Sequence, residues 1–513
     1  MTAINPRDVL DRQLGRMTMY RLVTLVLLAL AAVMLAHTAA GTFTDPFTVE
    51  AELVTLAVLL VASWVSNRLL GLAWRITPHG ESAIITALLL WFLFWPTTDA
   101  TTLAWLAGSA VLANLSKYVL AWRGRHVFNP AAVGATAATL STLGGSAWWV
   151  ASQTLLPYVA VGAFLVLWRT RRLDLGAVFI VVAGVLTVWG YAAGFEVPLG
   201  EAITTMAYTV AIVFIAGFML SEPLTLPPRR HQQLLVAALV AVAMSYPVWI
   251  SVFNQTPVTV DGIGMTQQLA LLLGNVVAFG LARRSGVAFV LEETRTLTPE
   301  TRELTFRSRR PVAFRPGQYA ELTVPHAKAD GRGSRRSFSI SSPPDADGRL
   351  SIALRVPEES STFKKALLAL EPGETVHATG IGGDFLWPAD PSTPLLLVAG
   401  GIGITPFLSQ LRHDGGRDVV LVYGVPSADE VPFVDELADV RVVLVGPERP
   451  DHLPDAWTFV EAPYLSPELI ASAVPDLARR RAYVSGPPAM VNAVRRGLAK
   501  RCAGVKTDYF TGY

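Results

Sequence analysis

Long apolar runs dominate the first 285 residues of the chain. A helix that spans a membrane needs about 20 mostly apolar residues, and ten segments approach this description. We predict spans over 22–40, 52–70, 82–96, 102–121, 130–150, 154–168, 175–194, 202–220, 233–252 and 267–282. The stretch 141–146 and the region of Pro157 interrupt the apolar pattern, which makes them candidates for broken or re-entrant helices.

From about residue 287 the pattern changes to short runs in which apolar and polar residues alternate, as is typical of strands. Six such runs lie between residues 287 and 380, and this spacing predicts a small antiparallel barrel. After residue 393, continuous apolar strands alternate with helical segments, which indicates a doubly wound parallel sheet. We therefore predict an α-helical polytopic membrane domain over 1–285, an antiparallel β-barrel domain over 286–390 and an α/β parallel-sheet domain over 391–513.

The composition supports this division. The chain is 52% hydrophobic and 16% charged, whereas ordinary soluble domains carry about 25% charged residues. Residues 1–285 hold only 28 of the 82 charged residues (42 basic and 40 acidic) and 11 of the 13 tryptophans. The net charge of +2 gives no bulk basic field for nucleic acid. The single cysteine, Cys502, excludes a disulfide framework, a four-cysteine iron–sulfur cluster and a cysteine-based zinc site.

The placement of basic residues predicts the orientation in the membrane. With ten spans and both termini inside, all 16 Lys and Arg residues of 1–285 fall in inside loops or near the inside ends of spans, and the charged residues of the outside loops are acids such as Asp45 and Asp261. This distribution follows the positive-inside rule. We therefore expect a multi-pass protein of the plasma membrane whose termini and C-terminal domains are cytoplasmic.

Few ionisable residues lie near the centres of the predicted spans, which argues against a relay of mid-membrane carboxylates. The histidines of this half, His37, His79, His126 and His231, lie near span ends or in loops. Because no two of them face each other at depth, we expect no haem and no metal site.

A glycine-rich loop follows the first parallel strand. Gly400-Gly401-Ile402-Gly403-Ile404-Thr405-Pro406 lies between the strand Leu395–Val398 and a predicted helix. Glycines there allow a tight turn and let a phosphate approach the backbone, and the helix N-terminus favours the anion. The next strand is followed by 425–430, which contains no basic residue. For a nicotinamide dinucleotide bound at this loop, the absence of a basic residue favours NADH over NADPH, because a 2′-phosphate requires Arg or Lys at that place.

With this loop, four further segments resemble the ferredoxin–NADP⁺ reductase superfamily. They are Arg315-Pro316-Gly317-Gln318-Tyr319, Arg336-Ser337-Phe338-Ser339, Ser361-Thr362-Phe363 and Ser485-Gly486-Pro487-Pro488-Ala489-Met490. The resemblance implies an FAD- and NAD(P)H-dependent oxidoreductase in which Arg336 binds the FAD pyrophosphate, Phe338 packs against the flavin and Ser339 lies near flavin N5. The other residues that it assigns to FAD are Tyr319, Ser337, Ser361 and Thr362. The residues that it assigns to NAD(P) are Gly400, Gly401, Gly403, Thr405, Pro406, Gly486, Pro487 and Met490.

Two departures from the family pattern concern the hydride-transfer centre. The last motif begins with Ser485, where most members have cysteine near the contact of nicotinamide and flavin. The end of the chain, Asp508-Tyr509-Phe510-Thr511-Gly512-Tyr513, resembles family tails that place an aromatic ring over the flavin. The resemblance implies that Ser339, Ser485 and either Phe510 or Tyr513 take part in catalysis.

Two short segments of the first half are similar to signatures of flavin-carrying membrane subunits, the B subunit of the Na⁺-translocating NADH:quinone reductase and the D subunit of the Rnf complex. The segments are 125–134, which contains Asn129 and Pro130, and 218–225, which contains Ser221, Glu222 and Thr225. The resemblance implies a non-covalent FMN or riboflavin near these five residues. The covalent FMN motif of those subunits is not matched, because Pro130 stands where its Asp belongs in the sequence before Thr136.

Together these features predict a one-chain electron conduit. NAD(P)H would reduce FAD in the cytoplasm, and electrons would pass through a membrane flavin to an extracytosolic acceptor, expected to be a protein that bears FMN. Flavin suits this role because it accepts a hydride and releases single electrons. Two alternatives stay open, namely a membrane-anchored NADH:quinone or metal reductase and a redox-linked ion transporter.

Overall fold

The computed structural model describes residues 14, 17–74, 78, 80–122, 125–141, 146–259, 264–281, 287–310, 312–326, 334–345 and 347–510, apart from the side chains of residues 125 and 379. The chain divides into two compact units, one over Arg16–Ser285 and the other containing Gly286–Tyr513.

The first unit is helical around one continuous apolar core. Its helices are α1 Met19–Ala39, α2 Val49–Ala73, α3 Gly80–Leu93, α4 Ala100–Val119, α5 Pro130–Leu140, α6 Leu156–Arg169, α7 Leu173–Trp189, α8 Leu199–Thr209, α9 Ile212–Phe214, α10 Arg230–Trp249 and α11 Gln267–Leu281. Between α4 and α5, β1 (Ala121–Trp122) pairs with β2 (Arg125–His126). Side chains of Thr18, Thr48, Asp99 and Asn129 cap the N-termini of α1, α2, α4 and α5.

A helix occurs at each of the ten predicted spans, but ten membrane crossings are not confirmed. Among the described residues, four helices are long and apolar enough to cross a membrane: α1, α2, α7 continued to Gly194 and α10 continued to Phe253. A fifth crossing is counted if α8 and the segment Ile212–Met219, which meet at a bend of 47°, form one span. Four shorter apolar helices, α3, α5, α6 and α11, have 10–17 residues.

Two predicted spans are interrupted, and the first helix ends directly before the stretch 141–146 that the sequence marked as a candidate break. The span predicted over 130–150 stops as a helix at Leu140, and Trp148 has a left-handed backbone with φ of 51°. The span predicted over 202–220 breaks after Thr209, where the Ala211 N–H donates to Oε1 of Gln267 at 3.2 Å. Other parts of the unit bind backbone groups at both breaks. At the first break, the Ala147 N–H donates to the carbonyl of Leu93 at the end of α3 at 2.6 Å. Pro157 breaks nothing, because it lies in the first turn of α6.

The second unit begins with a six-stranded antiparallel sheet. Its strands are β3 Val287–Thr296, β4 Thr301–Ser308, β5 Tyr319–Thr323, β6 Arg335–Ser339, β7 Arg349–Arg355 and β8 Thr375–Gly382, in the order β6-β5-β8-β3-β4-β7. An antiparallel bridge between Ile340 and Ile352 joins the two ends of this order and closes the barrel. The inward residues of the strands form its core, and α12 (Thr362–Leu368) lies between β7 and β8.

The rest of the unit is a six-stranded parallel sheet in the order β12-β11-β10-β9-β13-β14 with a separate apolar core on each face. Its elements are β9 Leu395–Gly400, α13 Thr405–His413, β10 Val419–Gly424, β11 Arg441–Gly446, β12 Trp457–Glu461, α14 Pro467–Ala473, β13 Arg481–Gly486, α15 Pro488–Leu498 and β14 Gly504–Tyr509. The sequence reading did not identify β12 and β14 as strands. Because the strand order reverses between β9 and β13, the carboxyl ends of these two strands border the crevice where such sheets bind ligands.

Candidate functional site

The two nucleotide-binding segments meet at the switch point of the parallel sheet. Gly400 ends β9 and Gly486 ends β13. A Cβ on Gly403 would lie 2.5 Å from the carbonyl oxygen of Ser485, and one on Gly400 would lie 2.5 Å from Sδ of Met490. Only glycine permits this approach, so the structure brings the predicted loop 400–406 and the predicted motif 485–490 into direct contact.

The backbone of Gly401 forms an open turn at this place. Its φ is +53°, and no atom lies within 4 Å of the position that a Cβ would occupy. Thr405 and Pro406 form the first turn of α13, and Oγ1 of Thr405 donates to the carbonyl of Ile402 at 3.0 Å. An open glycine backbone ahead of a helix N-terminus suits the pyrophosphate of a dinucleotide.

Ser485 lies beneath the loop. It is fully buried, and its hydroxyl has no hydrogen-bond partner in the described part of the chain. A buried hydroxyl without a partner is costly unless a ligand supplies one, so Ser485 fits a site completed by a bound group. Pro487 follows, with Cδ 3.1 Å from the position of a Cβ on Gly400.

The end of the chain lies beside the same motif. β14 runs parallel to β13, and the Phe510 N–H donates to the carbonyl of Gly486 at 2.8 Å. Phe510 is therefore adjacent to the nucleotide motif, whereas Tyr513 lies outside the described residues. Burial, with the neighbouring Asp384 carboxylate, raises the pKa of Asp508 on β14 to about 6.

Five of the seven predicted flavin residues lie on β5 and β6 of the barrel. These strands pair in antiparallel register, with Tyr319 opposite Ser339 and Leu322 opposite Arg336. Arg336 and Phe338 are buried on one face, as the alternation predicts, and Ser337 is exposed. Ser339 is buried although it belongs to the alternate set of positions.

The aromatic ring of Phe363 joins two predicted flavin segments. Cζ of Arg336 lies 5.1 Å from the centre of this ring, and the ring of Phe338 stacks on it at 5.9 Å. Ser361 caps α12 through the Lys364 N–H, and Thr362 hydrogen-bonds through Oγ1 to Nε2 of His326 at 3.1 Å. Phe363 belongs to a predicted segment, but the sequence implied no role for it. His326 was not predicted, because no local pattern links a loop histidine to a residue 36 positions later.

Tyr319 borders a second glycine turn. The Gly383 φ is +115°, and a Cβ there would lie 3.1 Å from Cδ1 of the Tyr319 ring. The Gln318 amide holds this turn by donating to the Gly383 carbonyl at 3.0 Å. Tyr319 is 36% exposed, so part of this residue is accessible beside the Gly383 turn.

These observations fit the two cofactors that the fold implies. A guanidinium, which binds phosphate bidentately, lies on strand β6, and the partly exposed Tyr319 lies on the paired strand β5, which suits FAD. The open Gly401 turn and the unpartnered Ser485 hydroxyl suit a nicotinamide dinucleotide. FAD would supply hydride acceptance and one-electron release, and Arg336, Tyr319 and Ser339 would hold it.

The two signature segments of the helical unit also meet, around Glu222. Its Oε1 hydrogen-bonds to Nε2 of His126 at 2.8 Å, and its Oε2 accepts from Nδ2 of Asn129 at 3.0 Å. Asn129 caps α5, which begins at Pro130, and its backbone N–H donates to Oδ1 of Asn275 at 2.8 Å. We call Asn129, His126 and Glu222 the polar cluster.

The remaining predicted residues beside the polar cluster bond within their own segment. The Ser221 hydroxyl donates to the Gly217 carbonyl at 2.6 Å, and the Thr225 hydroxyl donates to the Glu222 carbonyl at 3.3 Å. Both hydroxyls therefore already have partners within the described part of the helical unit.

Comparison with known proteins supports the assignment of the second unit. Residues 397–496 match the family of oxidoreductase NAD-binding domains. The aromatic O-demethylase reductase subunit of Amycolatopsis is 30% identical over 224 residues, which cover 41% of this chain and 64% of that protein. The propane 2-monooxygenase reductase component of Mycolicibacterium goodii is 26% identical over 222 residues, which cover 40% and 62%. The chain thus spans less than two thirds of these relatives' own length.

A solved structure is also similar. The Amycolatopsis cytochrome P450 reductase matches with a TM-score of 0.38 and 26% identity, covering 44% of this chain and 71% of that chain. From the family match and the reductase relatives, the second unit is a ferredoxin-reductase-like FAD- and NAD-binding module of the oxidoreductase class. The resemblance of the helical unit to flavin-carrying membrane subunits is not shown by these matches.

Proposed function

We propose that this protein is a membrane-bound NAD(P)H oxidoreductase that moves electrons from cytoplasmic NAD(P)H through FAD and across the membrane to an extracytosolic acceptor. The observation that carries the proposal is the presence, in one chain, of a reductase module and of a helical unit whose two signature segments converge on Glu222. The named relatives are reductase components of oxygenase systems, which supports electron delivery to a partner.

In the module, the residues act by binding and positioning. Arg336 neutralises the FAD pyrophosphate, and Tyr319 and Phe338 provide aromatic packing for the flavin. Gly401 and Gly403 let the dinucleotide lie against the backbone, with the pyrophosphate at the start of α13. Ser339 and Ser485 would offer hydroxyls to the reacting rings, and Phe510, whose N–H donates to the Gly486 carbonyl, would cover the flavin in the absence of nicotinamide.

We further propose that all ten helical segments lie in a plasma membrane with the module on the cytoplasmic side. The complete inside bias of the 16 basic residues supports this orientation. The short helix α3 is compatible with a membrane interior because protein groups bind its terminal carbonyls. The Trp149 indole N–H, for example, donates to the Phe94 carbonyl at 2.7 Å.

The membrane carrier is proposed on resemblance alone, as a non-covalent FMN or riboflavin near the polar cluster. Extraction of flavins from the purified full-length protein tests it. One FAD and one FMN or riboflavin per chain supports the carrier, whereas FAD alone removes it. Glu222→Gln should lower only the second flavin, and Glu201→Gln, an exposed carboxylate of the same unit, should lower neither.

Reconstitution into liposomes tests the function as a whole. NADH is added outside to vesicles that contain trapped ferricyanide, so only modules that face outward are reduced. We expect NADH oxidation with stoichiometric reduction of the trapped ferricyanide, two molecules per NADH. Oxidation of NADH only when ferricyanide is on the same side as the module would refute transfer across the membrane. Reduction of a bilayer quinone without trapped acceptor would favour the quinone reductase instead.

A further inference from the structure

Helix α13 links the nucleotide loop to the flavin-binding strand. Its first turn contains Thr405 and Pro406, which follow the glycine loop. One turn later the Ser409 hydroxyl donates to the carbonyl of Ser342 at 2.6 Å, and Nη1 of Arg412 donates to the carbonyl of Ser341 at 2.8 Å. These acceptors belong to consecutive residues that follow Ser339 on β6 by two and three positions.

A buried ionic group reinforces the attachment. The Ser341 hydroxyl donates to Oε1 of Glu303 on β4 at 3.1 Å, and Arg412 approaches the same carboxylate at 3.5 Å. Ser341 is fully buried and the Glu303 side chain is 7% exposed. Bonds in such surroundings are poorly screened and rigid, so the segment after Ser339 is held from both the barrel and α13.

The same helix also holds the second flavin-binding segment. Nε2 of Gln410 donates to the carbonyl of Phe385 at 2.7 Å. A Cβ on Gly317, two residues before Tyr319, would collide with both of these groups. Side chains of α13 therefore contact the backbone close to Tyr319 and close to Ser339.

We propose that Ser409 and Arg412 are positioning residues that set the spacing between the nicotinamide and flavin sites. The proposal rests on the proposed oxidoreductase activity. The start of α13 faces the dinucleotide and its later residues hold the flavin strand, so one rigid helix determines the separation of the two rings. Hydride transfer needs the reacting atoms about 3–3.5 Å apart, and a displacement of 1 Å can cost about 100-fold in rate. Ser409 and Arg412 bind the backbone carbonyls of Ser342 and Ser341 rather than a predicted cofactor residue, so their loss should slow transfer without weakening binding.

The test uses the full-length protein loaded with FAD. The variant Ser409→Ala with Arg412→Ala is compared with the conservative pair Ser409→Thr with Arg412→Lys, which retains donors to both carbonyls. Arg480→Ala is the control, because this buried arginine also binds a backbone carbonyl, that of Leu395 at 3.0 Å, but within the parallel sheet alone. Anaerobic stopped-flow absorbance gives the rate constant of flavin reduction at saturating NADH and the Kd of NADH. Hydrogen exchange in the nucleotide-free protein reports on the amides of residues 340–342.

We expect the alanine pair to reduce its flavin 10- to 100-fold more slowly, with FAD content unchanged, the Kd of NADH within threefold and faster exchange at 340–342. The conservative pair should recover most of the rate, and Arg480→Ala should lower the melting temperature with the rate within threefold. An unchanged rate, a rate that falls only in proportion to lost FAD, or an equal loss in Arg480→Ala would overturn the proposal. If the wild-type flavin is not reduced by NADH, the proposed activity is wrong, and unchanged exchange at 340–342 would then overturn the positioning role separately.

Discussion

Replacing Glu430 by alanine should destabilise the module far more than replacing its exposed neighbour Asp429. Glu430 lies in the loop after β10 and is 6% exposed. Its carboxylate accepts three hydrogen bonds from the turn between β3 and β4, from Oγ1 of Thr298 at 2.7 Å, the Glu300 N–H at 2.7 Å and Oγ1 of Thr301 at 3.1 Å. The contact joins the parallel sheet to the barrel.

The expected cost follows from those three donors. A hydrogen bond to a charged group contributes about 1.5–3 kcal/mol, and a buried donor left without a partner costs about 1–3 kcal/mol. Water entering the space left by alanine would recover part of this, so we expect a loss of about 3–5 kcal/mol. For a unit of this size, 1 kcal/mol corresponds to about 2–4 °C in Tm. The midpoint should therefore fall by about 6–20 °C.

The measurement is the release of FAD, followed by its fluorescence as the full-length protein is heated in detergent. Glu430→Gln should fall between wild type and Glu430→Ala, because its amide oxygen still accepts while its NH₂ group faces the Glu300 N–H. Asp429→Ala should lie within about 2 °C of wild type, as surface substitutions usually change stability by less than 0.5 kcal/mol. A Glu430→Ala midpoint within 2 °C of wild type would show that the buried contact contributes no stability, contrary to the reasoning from its geometry.

Three further predictions concern the nucleotide site and its surroundings. Gly403→Ala should raise the KM for NADH at least tenfold or prevent folding, whereas Gly416→Ala, where nothing lies within 4 Å of the new Cβ, should change neither KM nor the yield of folded protein. Because burial raises the pKa of Asp508 to about 6, the stability that this group contributes is present below pH 4 and is lost as the pH rises through 6. Asp508→Asn should thus stabilise the protein by about 1–2 kcal/mol at pH 8 and not at pH 4. This is about half of the free energy that corresponds to the whole pKa shift, because the residue is only half-buried. Equal effects at both pH values in thermal melts would contradict this prediction. Since 425–430 contains no basic residue, kcat/KM should be higher for NADH than for NADPH in steady-state assays. A higher kcat/KM for NADPH would show that the predicted preference is wrong.

Much of the module was predictable because its signals are local. The six alternating runs became the six strands of the barrel, and the continuous apolar runs after residue 393 became parallel strands. The glycine loop could be predicted because residues other than glycine rarely adopt the conformation of Gly401 and cannot fit at Gly403. β14 was not predicted, because its residues are all partly buried and do not alternate between buried and exposed. Its position in the sheet depends on its pairing with β13.

The helical unit was predictable in the positions of its helices and less so in their continuity. Apolar composition identifies ten helical regions, but α5 ends early and α8 bends into α9. These breaks depend on distant groups that bind the freed backbone, such as the Gln267 side chain at Ala211. A local pattern carries no information about such partners.

The sequence by itself determined the division into an apolar helical half and a reductase module, together with the position of the glycine-rich loop, because length, periodicity and glycine geometry act within a few residues. Only the tertiary structure decided which motifs meet. It brings Asn129 to Glu222 across 93 positions, Thr298 to Glu430 across 132 and Ser342 to Ser409 across 67. Contacts of this kind arise from the packing of whole elements, where a buried polar group must find its partner wherever the fold delivers one.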